Sequence, residues 1–101
     1  MILERTVIHC KPGTVRQMVD NFKLLGERMA DQEIIKSFRI LTDLTGPFDT
    51  VIIESEIESI DAYFGMLQGM LSGEEDSEFP DSMMDPYNSG SRTFYTIEAT
   101  Y

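Results

Sequence analysis

No tryptophan occurs in this chain of 101 residues, cysteine and histidine occur once each, and 8 lysines and arginines stand against 18 acidic residues. Each shortage excludes something. A single Cys10 closes no intramolecular disulfide, which rules out a secreted disulfide scaffold and makes a cytoplasmic location the expectation. One His and one Cys do not build a zinc site, and the acidic residues lack the ligand spacing of a calcium loop, so no metal is expected. Gly13 and Gly46 each stand alone, so there is no Gly-rich phosphate cradle; no cofactor is expected. With a formal net charge of -10, nucleic acid and anionic membrane surfaces are poor partners. Glu4, Arg5 and Lys11 interrupt the opening stretch, so neither a signal peptide nor a spanning helix is expected.

What remains is a hydrophobic content of 42% in a length that suits one core. A single domain over 1–101 is expected. Ile2 to Cys10 alternates and is broken by Lys11-Pro12-Gly13, which reads as a strand and a turn. Thr14 with Gln17 has capping-box form, and Val15, Met18, Val19, Phe22, Leu25 and Met29 follow at helical steps. Ile34 to Thr45 and Phe48 to Ile57 both alternate around Gly46-Pro47, a hairpin. Glu58-Ser59 caps a second helix carrying Ile60, Tyr63, Phe64 and Leu67 on one face, with Gly73 at its expected end. The segment 74–91 is acidic and aperiodic and reads as a loop, a lid or a mobile insertion. Arg92 to Tyr101 alternates again. The order βαββαβ predicts an α+β, ferredoxin-like domain, a four-stranded antiparallel sheet with both helices on one face.

Strand parity then sorts side chains. Thr6, Ile8 and Cys10 go to the helix side with Phe38, Ile40, Val51 and Ile53. Arg5, Val7 and His9 go to the open side with Ser37, Arg39, Leu41, Ile52, Glu54 and Glu56, joined by Phe94, Thr96 and Glu98. A turn centred on Gly46-Pro47 sets Arg39 opposite Glu54 as a cross-strand ion pair. Apolar residues on the open face call for a cover, and a second copy of the chain is the expected one. His9, the single imidazole, is the catalytic candidate, and Glu54 reaches it as well as Arg39 if the strand registers bring the three level. Arg39 and Glu54 are candidate ligand anchors. Tyr63, Phe64, Met66 and Tyr95 are the candidates to edge a pocket between helix and sheet, with Tyr63 and Tyr95 as candidate ligand contacts, although their spacing reads first as core.

Three stretches resemble a known group: Ile2-Leu3-Glu4-Arg5 through Lys11-Pro12-Gly13, Gly46-Pro47-Phe48 through Ser59-Ile60-Asp61-Ala62-Tyr63, and Gly90-Ser91-Arg92-Thr93-Phe94-Tyr95. They are similar to the dimeric α/β barrel superfamily, in its NIPSNAP-like and antibiotic-biosynthesis-monooxygenase-like branches. The resemblance implies two sheets facing each other in a homodimer and a small hydrophobic or aromatic ligand between sheet and helices. The first functional expectation is a small-molecule-binding protein of unassigned chemistry. A cofactor-independent monooxygenase or isomerase acting on aromatic or polyketide-like substrates is the alternative, and a non-catalytic structural or interaction dimer is the third.

Overall fold

The computed structural model describes residues 1–30, 34–71 and 85–101. Along the chain these form β1 (Ile2–Cys10), α1 (Val15–Ala30), β2 (Ile35–Thr42), β3 (Thr50–Ile57), α2 (Ile60–Leu71) and β4 (Tyr87–Thr96). The strands make one antiparallel sheet in the order β2-β3-β1-β4. This is the expected ferredoxin-like α+β fold.

The helix side of the sheet is set by parity. Ile8 and Cys10 of β1 and Val51 and Ile53 of β3 are buried beneath Met18, Val19 and Phe22 of α1. Ile35 and Ile57 are buried with Met29 of α1 and with Tyr63, Met66 and Leu67 of α2, so both helices share one face. Removing each such side chain from water contributes about 1.5–3 kcal/mol, which is why the i, i+3, i+4 spacing of α1 decides where the helix lies. Ser59 caps α2 as its sequence suggests, its hydroxyl accepting from the Ala62 N–H at 3.2 Å. Thr14 behaves differently from a capping box: its hydroxyl donates back to the Lys11 carbonyl at 2.6 Å and tightens the turn after β1.

The hairpin register is as expected, with Arg39 opposite Glu54 and Thr42 opposite Val51. Gly46 holds φ at 140°, which the turn requires of it. Asp49, at φ 58°, accepts from Gly13 N–H and Cys10 N–H and so ties the start of β3 to the end of β1.

Two expectations are corrected. The last strand begins at Tyr87 and not at Arg92, so 87–91 leave the loop; residues 72–84, with the Gly73 cap and the proposed lid, lie outside the described residues. Phe94 faces Glu4 across the β1–β4 ladder, which puts Phe94, Arg92 and Thr96 on the helix side and Tyr95 on the open side. Phe94 packs with Tyr63, and Tyr95 does not edge the helix-side pocket.

One contact in α1 is testable at once. A Cβ on Gly26 would stand 2.8 Å from the Phe38 ring. Gly26→Ala gains about 1 kcal/mol of helix propensity but must displace a packed ring, an overpacking cost of about 1–3 kcal/mol. The expected outcome in urea denaturation is a net loss of about 1 kcal/mol, and a net gain would show that Phe38 swings aside freely.

Candidate functional site

A carboxylate is buried where an apolar residue belongs. Glu4 shares the inward parity of Ile2, Ile8 and Cys10 and is 1% exposed. An unpaired charge there would be strongly unfavourable, so its partners define the site. The Thr6 hydroxyl donates to Glu4 Oε1, the Arg92 Nε–H donates to the same oxygen at 3.2 Å, and the Ser55 hydroxyl donates to Oε2 at 3.0 Å. The Tyr63 hydroxyl, on α2, is a further donor to this carboxylate. Thr6 also accepts from Arg92 Nε at 3.1 Å. Three strands and one helix thus converge on a single acceptor. A carboxylate offers about four lone-pair sites. Glu4 is therefore saturated and serves as an anchor, not as a base.

Aromatic rings enclose this polar centre. Tyr63, Phe64 and Phe94 meet edge to face with centroids 5.5–6.0 Å apart. The Arg92 guanidinium carbon stands 5.8 Å from the Tyr63 centroid and 5.9 Å from that of Phe64, within cation–π range. Glu4 fixes the inner edge of Arg92, while the side chain as a whole remains 37% exposed. The exposed surface is thus a planar cation, already neutralised from beneath, beside the half-open ring of Phe64.

Burial first, then the charge of Glu4, hold the Tyr63 phenol above its ordinary range; Arg92 pulls the other way, and the hydrogen bond to Glu4 adds the smallest upward push. The folded chain keeps this proton where an unfolded tyrosine, ionising near about pH 10, has lost it. Stability contributed here is complete below that pH and falls as pH rises through it. The alkaline loss of stability is expected to be smaller in Tyr63→Phe than in the parent, read from denaturant midpoints at neutral and alkaline pH; equal losses would contradict the Tyr63–Glu4 contact.

The open face carries a second cluster. Glu54, 5% exposed, sits between two arginines: Arg5 donates to Oε2 from Nε at 2.8 Å and approaches it with Nη2 at 2.6 Å, and Arg39 pairs with Oε1. Arg5 also lies over Tyr95, 5.5 Å from its centroid. His9 is not part of this group. Its register partner is Thr50, whose hydroxyl is 3.4 Å from Nδ1, and Glu54 meets Arg5 on the β1 side instead. Cys10 points to the other face, buried, and burial followed by the charge of Asp49 pushes its thiol up, away from nucleophilic form.

Of the sequence candidates, Tyr63 therefore belongs to the helix-side site, Arg39, Glu54 and Tyr95 to the open face, and His9 to neither cluster. Glu4, Ser55 and Arg92 were not anticipated. The signal for Glu4 was its parity with Thr6, Ile8 and Cys10, an acid at an inward position.

Comparison with solved structures settles the architecture. An uncharacterised NIPSNAP domain protein from Burkholderia xenovorans superposes with a TM-score of 0.76 at 13% identity, covering 98% of this chain and 96% of that one. A variant of SnoaB, a cofactor-independent oxygenase from Streptomyces nogalater, gives a TM-score of 0.72 at 10% identity, over 98% and 94%. An antibiotic biosynthesis monooxygenase gives 0.73 at 10% identity, over 98% and 100%. The fold is that of the NIPSNAP and antibiotic biosynthesis monooxygenase structures. No protein-family model and no curated protein matches the chain in sequence. At this identity the likeness speaks for the fold alone. Among the described residues no helix is long and apolar enough to cross a membrane, and no group of three or more metal-ligating side chains occurs.

Proposed function

We propose that the protein is a homodimer that binds a small aromatic molecule on the helix side of its sheet, against Arg92, Phe64 and Phe94. The observation that carries this reading is the saturated Glu4 beneath Arg92. A buried carboxylate held by residues of three strands and a helix is costly to build, and its effect is to fix the guanidinium beside exposed aromatic surface. Because Glu4 already neutralises Arg92, the ligand oxygen that suits this place is a neutral carbonyl or phenol; a carboxylate would also approach a chain of net charge -10. SnoaB is a cofactor-independent oxygenase. That chemistry on an aromatic substrate is the second reading for this chain, but it needs a base, and Glu4 has no lone pair to spare.

Coumarin, a neutral bicyclic carbonyl compound, is the probe. Calorimetric titration with coumarin should saturate, Arg92→Ala should weaken binding by about tenfold, the equivalent of about 1.4 kcal/mol, and naphthoate should bind more weakly than coumarin. Equal binding by the parent and Arg92→Ala, or tighter binding of naphthoate, would remove this ligand class. Catalytic turnover of an aromatic substrate would establish the enzyme reading.

The homodimer rests on the open face, where Leu3, Val7, Leu41, Ile52 and Tyr95 surround the Arg5–Glu54–Arg39 bridge. A stable pairing there buries on the order of 1,600 Å² in total. Light scattering after size exclusion should give twice the chain mass of 11.5 kDa. A cytoplasmic location belongs to the same reading, since the one cysteine is buried and unpaired.

A further inference from the structure

At the edge of the sheet opposite Arg92, α1 and β2 leave an open groove of about 550 Å³ between them. That volume suits a small molecule. The helix turn at Gly26, which has no side chain, comes down onto the Phe38 ring, and Phe38 with Ile40 gives the groove an apolar floor. Both floor residues are only half-buried. Ala30 ends α1 and Ile35 begins β2, so the two elements run in opposite directions, and the Gly26–Phe38 contact marks the middle of their overlap. The charges on the rim follow from this. Lys36 stands at one end, beside Ala30, Lys23 stands at the other, toward Ile40, and Glu27 lies between them. Positions 23 and 30 of a helix are about 10 Å apart along its axis. Among the described residues Lys23 has no ion-pair partner, and Lys36 has one exposed pair with Glu58 at 3.5 Å, of a kind that contributes little. Both ammonium groups are therefore available to a ligand.

We propose that this groove binds a medium-length α,ω-dicarboxylate, with one carboxylate on Lys23, the other on Lys36, and the methylene chain along Phe38 and Ile40. The order of the charges selects this class. A single carboxylate leaves one lysine unused, and a charge in the middle of the ligand meets Glu27, so the complementary molecule is anionic at both ends and apolar between. The floor sets its length. A diacid too short to reach from one lysine to the other gains neither the second ion pair nor the apolar contact. Lysine suits this task, because a compact ammonium on a flexible stem can meet an exposed carboxylate from several directions. The net charge of -10 opposes every anion alike, so preference among anions has to come from the groove itself, where two cations face one acid. Lying at the other edge of the sheet, the groove does not depend on the aromatic-ligand reading.

NMR titration of the full chain with azelate, the nonanedioate dianion, at constant ionic strength tests this. The amide signals of Gly26 and Phe38 should shift and saturate. Lys23→Ala and Lys36→Ala should each weaken binding by about fivefold, whereas Lys11→Ala, which removes an exposed ammonium at the turn after β1, should leave it unchanged. Nonanoate, with the same chain and one carboxylate, should bind less tightly than azelate, and succinate less tightly still. Arg92→Ala should not alter azelate binding, which separates this site from the aromatic one. Equal binding of azelate and nonanoate overturns the two-ended ligand. Losses in Lys11→Ala as large as those in the two groove variants show attraction to bulk charge alone and overturn the site. Absence of any shift at Gly26 and Phe38, as when a second copy of the chain covers the groove, overturns it outright.

Discussion

Glu4→Leu is expected to destabilise the protein more than any other single substitution at the helix-side site, by about 2–5 kcal/mol. The size follows from who loses an acceptor. Tyr63 is 3% exposed and Ser55 is 1% exposed, so neither hydroxyl recovers a partner from water when the carboxylate goes. Each buried, unsatisfied donor costs about 1–3 kcal/mol. Arg92 adds less, because it is partly exposed and its guanidinium turns to solvent. For a domain of about this size each kcal/mol lowers the melting temperature by about 4–8 °C, so a fall of at least about 8 °C is expected. Glu4→Gln should fall well short of that, since the amide oxygen still accepts from two donors while its NH₂ faces the others. Thermal unfolding of the two variants decides the matter. If leucine is as stable as the parent, Tyr63 and Ser55 have other partners and Glu4 is not the organising group.

The same cluster shows where sequence reasoning reached and where it stopped. The hairpin register was legible from Gly46-Pro47 back to Arg39 and Glu54, while the strand ends at Thr42 and Thr50 and the register shift between Ile35 and Ser37 were not. The last strand had no such marker. Its entry comes from the long acidic segment, which carries no count of residues from which to set a register, and Phe94 and Tyr95 are adjacent aromatics that satisfy either parity equally well. A one-residue shift exchanges the two faces, and that shift is the whole of the error at Phe94 and Tyr95. It also hid Arg92, which on the corrected parity stands opposite Thr6 and beside Glu4. Glu4 itself was legible in principle, because Ile8 and Cys10 announce the inward positions of β1. Its partners, however, come from β3, α2 and β4, and convergence of that kind is a property of packing which no single strand's pattern contains. His9 failed for a related reason: parity placed it on the correct face, but distance along the strand separates Thr50, its partner, from Glu54.

On the open face the structure changes what deletion of Arg39 should do. Sequence alone pairs Arg39 with Glu54 and suggests that losing the arginine strands the acid. In the fold Arg5 approaches the other carboxylate oxygen with both Nε and Nη2, so Arg39→Ala leaves Glu54 a two-point counter-ion. Arg39 is also the more exposed of the two arginines, and water screens much of its attraction. A loss of at most about 1 kcal/mol is expected for Arg39→Ala. Arg5→Ala should cost more, because the same substitution removes the contact with Tyr95. The double substitution should exceed the sum of the two. With both arginines gone, a carboxylate whose side chain is 6% exposed has no ion-pair partner among the described residues, and breaking a buried pair in this way costs about 3–5 kcal/mol. A third change separates charge from shape. Placing Glu54→Gln in the double background removes the stranded charge while keeping its volume, and it should recover most of the lost stability and, with it, the dimer. Denaturation and light scattering on the four variants give the coupling directly. Additive losses, or a Glu54→Gln change that recovers nothing, would mean that Glu54 is solvated in solution and that the open face is not held by this bridge.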